Sequence, residues 1–199
     1  MRSLARPGEN LNGFTINDLD VAPKRLQLLQ EIDSKIMRIA AIYNPLSQAA
    51  ARAEEEIVRA GLRLGIEVVG AVYRRAEELR PTLEKAAVAE VQAAITTTLT
   101  WPHRQIIIDW ARERRLPVMY TSALETRDGE LISLGANTIP QYRRAAMYID
   151  RMLRGMKPED LPVEQATENL WLVINLKTAK ELGLTVPQAL LARADEIIE

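Results

Sequence analysis

Between Met37 and Leu134 the sequence alternates short apolar runs with longer amphipathic segments. The runs are "MRIAAIY", "IEVVGAVY", "VQAAITTT", "LPVMYT" and "LISLG". Each run is apolar at consecutive positions, which is typical of a parallel strand whose two faces are both covered by helices. Such strands are joined by right-handed crossovers. The alternation therefore predicts an α/β fold with a parallel, Rossmann-like sheet.

The segments between the runs have the periodicity of helices. In the first, an apolar stripe recurs at steps of three and four residues from Ala50 to Leu64, and Gly65 is a typical C-terminal signal. Further helices are predicted at about 101–114 and 139–154. The last of these helices is expected to bury an apolar face made of Tyr142, Ala145, Ala146, Ile149 and Leu153.

From residue 158 onward, prolines at positions 158, 162 and 187 separate shorter elements. A strand near Trp171–Asn175 and two short helices are predicted there. This part of the chain has too little apolar surface to fold as an independent domain, so it is expected to pack on the rest of the molecule.

Charge and cysteine content exclude several classes of function. The chain of 199 residues has 26 basic and 27 acidic residues and no cysteine. The balanced charge does not favour nucleic acid or an anionic membrane as a partner. Without cysteine there are no disulfides and no thiolate nucleophiles. No signal peptide and no apolar window of membrane-spanning length is recognisable, so the sequence indicates neither standard export nor insertion.

Polar residues follow three of the predicted strands, where ligands of parallel α/β sheets bind. Asn44 and Ser47 follow the first strand, but an equally simple interpretation is a turn and a helix N-cap. A hydroxyl cluster including Thr97 and Thr98 follows the third strand beside Trp101, although threonine also suits strands and tryptophan usually packs. Three polar loops converging on one edge nevertheless indicate a small polar ligand. The candidate ligand-binding residues are Asn44, Ser47, Thr97, Thr98, Trp101, Thr121 and Ser122.

Nothing in the sequence predicts catalysis, so we expect a protein that is not an enzyme. His103 is the single histidine, and no acid or hydroxyl partner is fixed by its spacing, which favours a surface role. No Walker or GxGxxG pattern follows a strand, which disfavours nucleotide cofactors. Carboxylates with metal-binding spacing are likewise missing, and neither a cofactor nor a metal is expected.

Several longer stretches resemble one family. The stretch "LPVEQATENLWLVINLKTAKELGLTVPQALLARADEIIE" is similar to the C-terminal signature of ABC transporter substrate-binding proteins of the tryptophan and aromatic amino-acid type. The stretches "RIAAIYNP", "HRQIIIDWARERRLPVMY" and "YRRAAMYIDRMLRGMKPEDLPVEQ" extend the resemblance upstream, and "SLARPGENLNGFT" resembles the connector that enters the second lobe. The resemblance covers nearly the whole chain.

The resemblance implies a type I periplasmic binding protein, in which two α/β lobes clamp a solute and present it to an ABC permease. It assigns residues 1–35 to a connector and helix of an incomplete first lobe and residues 36–137 to the second lobe. Residues 138–199 become return segments, hinge and the C-terminal part of the first lobe. The same three loops correspond to the family's ligand loops. A periplasmic location is implied, whereas the missing signal peptide leaves the cytoplasm as the alternative.

Relatives carry a signal peptide and most of a first lobe before this connector, so the sequence is expected to be N-terminally truncated. Weak solute binding by the chain alone follows, together with homo-oligomers formed through the surface that the missing lobe would cover. The loop "TTLTWPHR" lacks the acidic or asparagine residue of many relatives, and Leu134 stands where an aromatic residue is common, so solute identity stays open. A non-transport regulatory or interaction module that retains one lobe is the alternative function.

Overall fold

The computed structural model describes residues 3–15, 21–97, 100–165 and 170–199. The strands are β1 (Phe14–Thr15), β2 (Arg38–Tyr43), β3 (Glu67–Val72), β4 (Ala93–Thr96), β5 (Val118–Tyr120), β6 (Ile132–Ala136), β7 (Glu164–Gln165), β8 (Leu170–Asn175) and β9 (Glu196–Ile198). The helices are α1 (Ala22–Ile32), α2 (Gln48–Leu64), α3 (Ala76–Val88), α4 (Arg104–Arg114), α5 (Ala123–Arg127), α6 (Ile139–Leu153), α7 (Leu176–Leu182) and α8 (Gln188–Leu191).

The chain divides into two compact units. The larger unit comprises residues 19–135 and 171–199, and the smaller one residues 1–18 and 136–170. The expected boundaries at 35 and 138 differ from this division. Helix α1 belongs to the larger unit because Leu26 and Leu29 are fully buried there, and β8 and β9 belong to it because they are strands of its sheet.

The larger unit is built on a mostly parallel sheet of seven strands in the order β3-β2-β4-β5-β6-β8-β9. This confirms the predicted α/β class. All five predicted strands are present, and the sheet is extended by the apolar strand predicted near Trp171–Asn175. That strand shows how residues 170–199 are stabilised, since they add to the sheet and do not form a domain of their own.

Both faces of this sheet are covered by apolar side chains, as the consecutive apolar runs predicted. On one face Ala40 and Ile42 pack in a buried cluster with Leu79 and Leu83 of α3 and Trp110 of α4. Ile39 and Ala41 alternate with them along β2 and are also fully buried. Burial on both sides explains why β2 shows no alternation of apolar and polar residues.

Helix α2 begins and ends at residues that the sequence marks. The Ser47 side chain caps its N-terminus, and Gly65 adopts a left-handed conformation with φ of 70° at its C-terminus. Ala50, Ile57 and Ala60 are buried as the stripe predicted. A left-handed residue after the last turn favours glycine because a Cβ atom would be strained there.

The smaller unit contains a two-stranded parallel sheet of β1 and β7 and the helix α6. The Tyr148 hydroxyl lies 2.9 Å from the Pro162 carbonyl oxygen and 2.8 Å from Glu164 Oε1, and the Tyr148 ring lies 5.1 Å from the Phe14 ring. Tyr148 therefore joins α6 to both strands of this unit.

The predicted buried face of α6 is wrong. Tyr142, Ile149 and Leu153 are exposed, Ala146 is exposed and Ala145 is half-buried, whereas the buried residue of the helix is Tyr148. An amphipathic pattern identifies the apolar face of a helix, but it does not determine whether another element covers that face.

Candidate ligand-binding site

The three predicted loops lie at one edge of the seven-stranded sheet. Parallel pairing sets Ile42 of β2 beside Thr96 of β4, and Ile95 of β4 beside Met119 of β5. The carboxyl ends of β2, β4 and β5 are therefore level with one another. Polar loops at this edge occupy the position at which open α/β sheets bind ligands.

The loop after β2 uses its polar side chains for its own conformation. Asn44 Oδ1 accepts a hydrogen bond from the Leu46 amide at 3.0 Å, and its Nδ2 donates to the Arg74 carbonyl at 3.3 Å. Ser47 Oγ accepts from the Ala50 amide at 3.3 Å as the N-cap of α2. The turn and N-cap interpretation is thus correct for both residues, and they shape the loop.

The loop after β4 turns its buried hydroxyls inward. Thr97 Oγ1 donates to the Ile42 carbonyl at 3.4 Å, and Thr100 Oγ1 donates to the Thr97 carbonyl at 3.0 Å. Both threonines are buried; Thr97 holds the loop against β2, and Thr100 closes the turn within the loop. Thr98, the other candidate in this loop, lies outside the described residues.

Trp101 presents an aromatic surface at the same edge. Its side chain is 37% exposed, and the Arg104 guanidinium carbon lies 4.0 Å from the ring centroid. Arg104 Nε also pairs with Asp128 Oδ2 at 2.8 Å. A guanidinium on one ring face is a cation–π contact that fixes the ring's position. Trp101 can therefore offer its exposed surface to the apolar part of a ligand.

The loop after β5 is held by a buried carboxylate. Glu125 Oε2 accepts hydrogen bonds from the amides of Thr121 at 3.2 Å and Ser122 at 3.1 Å, while Ser122 Oγ caps α5. Burial raises the pKa of Glu125 to about 7, although the two amides and the charges of Arg25 and Arg104 act in the opposite direction. The Glu125 carboxyl therefore changes between its neutral and charged forms near neutral pH.

A glycine lets β6 approach this loop closely. A Cβ atom on Gly135 would lie 1.8 Å from the Thr121 carbonyl oxygen, which is far inside van der Waals contact. The neighbouring Leu134 carbonyl accepts a 2.8 Å hydrogen bond from Nε of the buried Arg25 on α1. Thr121 is therefore fixed between the Glu125 carboxylate and the backbone of β6.

Sequence reasoning missed Glu125 and Arg25. The Ser122–Glu125 spacing is that of a capping box, a local signal that could have identified Glu125. Arg25 lies among the leucines of α1, and nothing local indicates that its side chain is buried against β6.

The described residues offer no arrangement suited to covalent chemistry at this edge. His103 is half-buried, and its ring packs 5.7 Å from the Tyr73 ring in edge-to-face geometry. Across the described residues no group of three or more acidic or histidine side chains could hold a metal ion. The edge can bind a molecule through backbone groups, hydroxyls and one aromatic ring.

A family model described as "ABC transporter substrate binding protein" matches residues 1–198. The chain belongs to this family. This confirms the resemblance seen in the sequence. The family is one of solute-binding proteins. No curated protein matches the chain.

Solved structures support the same placement of this substrate-binding protein. It is similar to a conserved domain protein of Vibrio cholerae, with 26% identity over 99% of the chain and a TM-score of 0.86. It is also similar to an ABC domain of a Streptococcus pneumoniae protein in complex with L-Trp, with 22% identity over 100% of the chain and a TM-score of 0.83. A third is an open, ligand-free substrate-binding protein with adhesive properties from Clostridium difficile, with 20% identity over 100% of the chain and a TM-score of 0.72.

The chain spans 66%, 68% and 66% of the lengths of these three solved chains. Their architecture is that of type I periplasmic-binding-like proteins, which agrees with the seven-stranded unit described above.

Proposed function

We propose that this chain forms part of the solute-binding site of an ABC importer and that its solute is a small polar molecule of the amino-acid class. The edge formed by the loops after β2, β4 and β5 contacts the solute. A family permease is the partner that receives it. The seven-stranded unit is the lobe that supplies this edge.

The observation that carries the proposal is the convergence of three loops that the strand register brings level. Trp101 adds an aromatic surface. Thr121 adds backbone polar groups and a hydroxyl, and the position of its backbone is fixed by the Glu125 carboxylate and by the close approach of Gly135. An amino acid has a charged polar head and a side chain of variable polarity. An edge with both hydrogen-bonding groups and one ring matches that combination.

Location outside the cytoplasm is part of the same proposal, since substrate-binding proteins of ABC importers meet their solutes there. Within the described ranges no helix combines the length and apolarity needed to cross a bilayer.

Binding by this chain alone is expected to be weak. A micromolar complex is worth about 8 kcal/mol, and a site that provides about half of the contacts would bind in the millimolar range, worth about 4 kcal/mol. The local hydrogen bonds of Asn44, Ser47 and Thr97 leave fewer side-chain groups free to add to this edge.

Replacing Trp101 by alanine is expected to weaken solute binding at least about fivefold, because an aromatic contact contributes about 1 kcal/mol beyond its buried area. Ligand-detected NMR with each of the common L-amino acids at millimolar concentration would identify the solute and measure both affinities. Val88→Ala is the matched control, since Val88 is an exposed apolar residue at the end of α3. An equal loss of affinity in the Trp101→Ala and Val88→Ala variants would contradict the proposal. Micromolar binding by the unaltered chain would contradict it as well.

A further inference from the structure

Glu125 is a buried carboxyl group beneath the loop after β5. Its side chain is 2% exposed, whereas Thr121 and Ser122 are half-buried at the edge that carries the candidate site. A single oxygen, Oε2, accepts both amide hydrogen bonds, at 3.2 Å from Thr121 and 3.1 Å from Ser122. The backbone of two candidate ligand residues is therefore held by one oxygen atom that is shielded from solvent.

The strength of these two hydrogen bonds depends on the charge of the carboxyl group. An ionised acceptor forms hydrogen bonds roughly twice as strong as a neutral one. A proton on Glu125 therefore weakens the contact with both amides, and the charged form restricts the backbone of Thr121 and Ser122 more tightly. A loop that is already ordered loses less conformational freedom when a ligand binds to it, which favours binding.

Glu125 changes its charge within the neutral range, since burial raises its pKa to about 7. Arg25 of α1 and Arg104 of α4 act on it from two sides, and arginine stays charged throughout this range. Glu130 and Tyr120 interact with its charge as well. Burial raises the pKa of Glu130 to about 10 and that of Tyr120 well above its usual value, so both are neutral between about pH 6 and about pH 8. Within this set of residues, Glu125 is the group that changes.

Other charged side chains lie beside this set. Asp128 pairs with Arg104, and Arg127 pairs with Glu196. His103 precedes Arg104 in the sequence, and histidine ordinarily titrates near neutral pH. His103→Gln is therefore the variant that separates a histidine effect from that of Glu125.

We propose that the charge on Glu125 controls how tightly the edge binds its solute, with Glu125 as a positioning residue that acts through the amides of Thr121 and Ser122. This inference rests on the proposed function, because it concerns the same edge. The charged form fixes the loop and binds solute tightly, and the protonated form binds it weakly. By reciprocity, bound solute lowers the pKa of Glu125, and a fall in pH favours release of the solute.

Glu125→Gln separates the charge of this side chain from its role as a cap. Glutamine is also found at this position of a capping box, so its side-chain oxygen can keep the amide contacts without the charge. The folded state raises the pKa of Glu125 above its ordinary value of 4.5 and so disfavours the charged form. Urea unfolding at about pH 8 should therefore show that the variant is at least as stable as the unaltered protein. A loss of affinity in the variant then does not arise from unfolding.

The contact with the amides is tested by NMR of the solute-free protein between about pH 6 and about pH 8. The Thr121 and Ser122 amides should shift with a common midpoint near pH 7. The midpoint should persist in His103→Gln and in Glu130→Gln, and it should be absent from Glu125→Gln. Amides that do not titrate, or a midpoint that His103→Gln removes, would overturn the proposal.

The effect on binding is tested by ligand-detected NMR at about pH 6 and about pH 8, with the common L-amino acids as probes. The unaltered protein should bind at least about fivefold more tightly at the higher pH, the lower end of the usual coupling between two sites. Glu125→Gln should bind weakly at both. Equal affinity of the two proteins at about pH 8, or a pH dependence that persists in Glu125→Gln and so belongs to the solute, would rule out control by Glu125. Failure of every amino acid to bind at either pH would instead overturn the proposed function, and this inference with it.

Discussion

Replacing Glu130 by glutamine is expected to make the protein more stable at alkaline pH and to leave it nearly unchanged in mild acid. Glu130 is 2% exposed in a largely apolar pocket lined by Ile108, Val118, Leu131 and Leu182. Neither of its carboxyl oxygens makes a well-formed hydrogen bond with the residues that the structure describes, although the Tyr120 hydroxyl lies near enough to act on its pKa in the downward direction. A buried carboxyl in this position is tolerated when it is neutral, and it is costly when it is charged.

The direction of the effect follows from the pKa of Glu130. Burial, and then the nearby Glu125 carboxylate, raise this pKa from its ordinary value of 4.5 to about 10. The folded protein therefore keeps a proton that the unfolded chain releases above about pH 4.5. Stability that is present below that pH is lost progressively as the pH rises toward 10. Glutamine has the shape of the protonated side chain and no proton to lose, so the variant escapes this loss.

Urea unfolding at about pH 5 and about pH 8.5 measures the effect. The free energy of unfolding of Glu130→Gln should exceed that of the unaltered protein by at least about 2 kcal/mol at the higher pH, since each pKa unit corresponds to about 1.4 kcal/mol. Glu55→Gln, at an exposed position on α2, is the control and should show no such pH dependence. Parallel pH profiles for Glu130→Gln and the unaltered protein would show that Glu130 is not buried as described.

Gly135→Ala is expected to destabilise the protein by about 3 kcal/mol, the upper part of the usual range for forcing a methyl group into packed structure. The added methyl would meet the Thr121 carbonyl oxygen at 1.8 Å, so β5 and β6 would have to separate at the edge that carries the candidate site. Solute binding should weaken together with stability, because the same contact fixes Thr121.

Gly70→Ala is the matched comparison on the edge strand β3. A Cβ atom there would meet its nearest neighbours at 3.7 and 3.9 Å, which is ordinary contact. Alanine at that position is expected to be neutral or to stabilise by up to about 1 kcal/mol, since glycine weakens strand interiors. Denaturant unfolding of both variants checks the pair. If Gly135→Ala lowers the free energy of unfolding no more than Gly70→Ala does, the close approach of Thr121 to β6 is contradicted.

The larger unit could be predicted well from sequence because its signals are local. Strand β2 reads as a continuous apolar run, and Ser47 and Gly65 mark the two ends of α2 with residues whose side chain or conformation suits those positions. The same kind of reasoning was wrong for α6. The periodicity of Tyr142, Ile149 and Leu153 does identify one apolar face, but its exposure depends on what lies opposite, which no local pattern contains.

The candidate site could be located from sequence only as a set of loops. The positions of the strand ends indicated where polar groups converge. The orientation of each side chain, however, depends on hydrogen bonds made across the fold. Thr97 turns inward because the carbonyl of Ile42 on the neighbouring strand is within reach. Arg25 comes to the same region through the packing of α1, more than one hundred residues earlier in sequence than the Leu134 carbonyl it contacts.

Protein-detected NMR during titration with the identified amino acid tests the proposed ligand edge most directly. Saturable amide shifts are expected at the carboxyl ends of the strands, at Asn44, Trp101, Thr121 and Ser122, and not at the opposite end of the sheet near Met37. Saturable shifts confined to the Met37 end, with the three loops unchanged, would contradict the assignment of the solute to this edge.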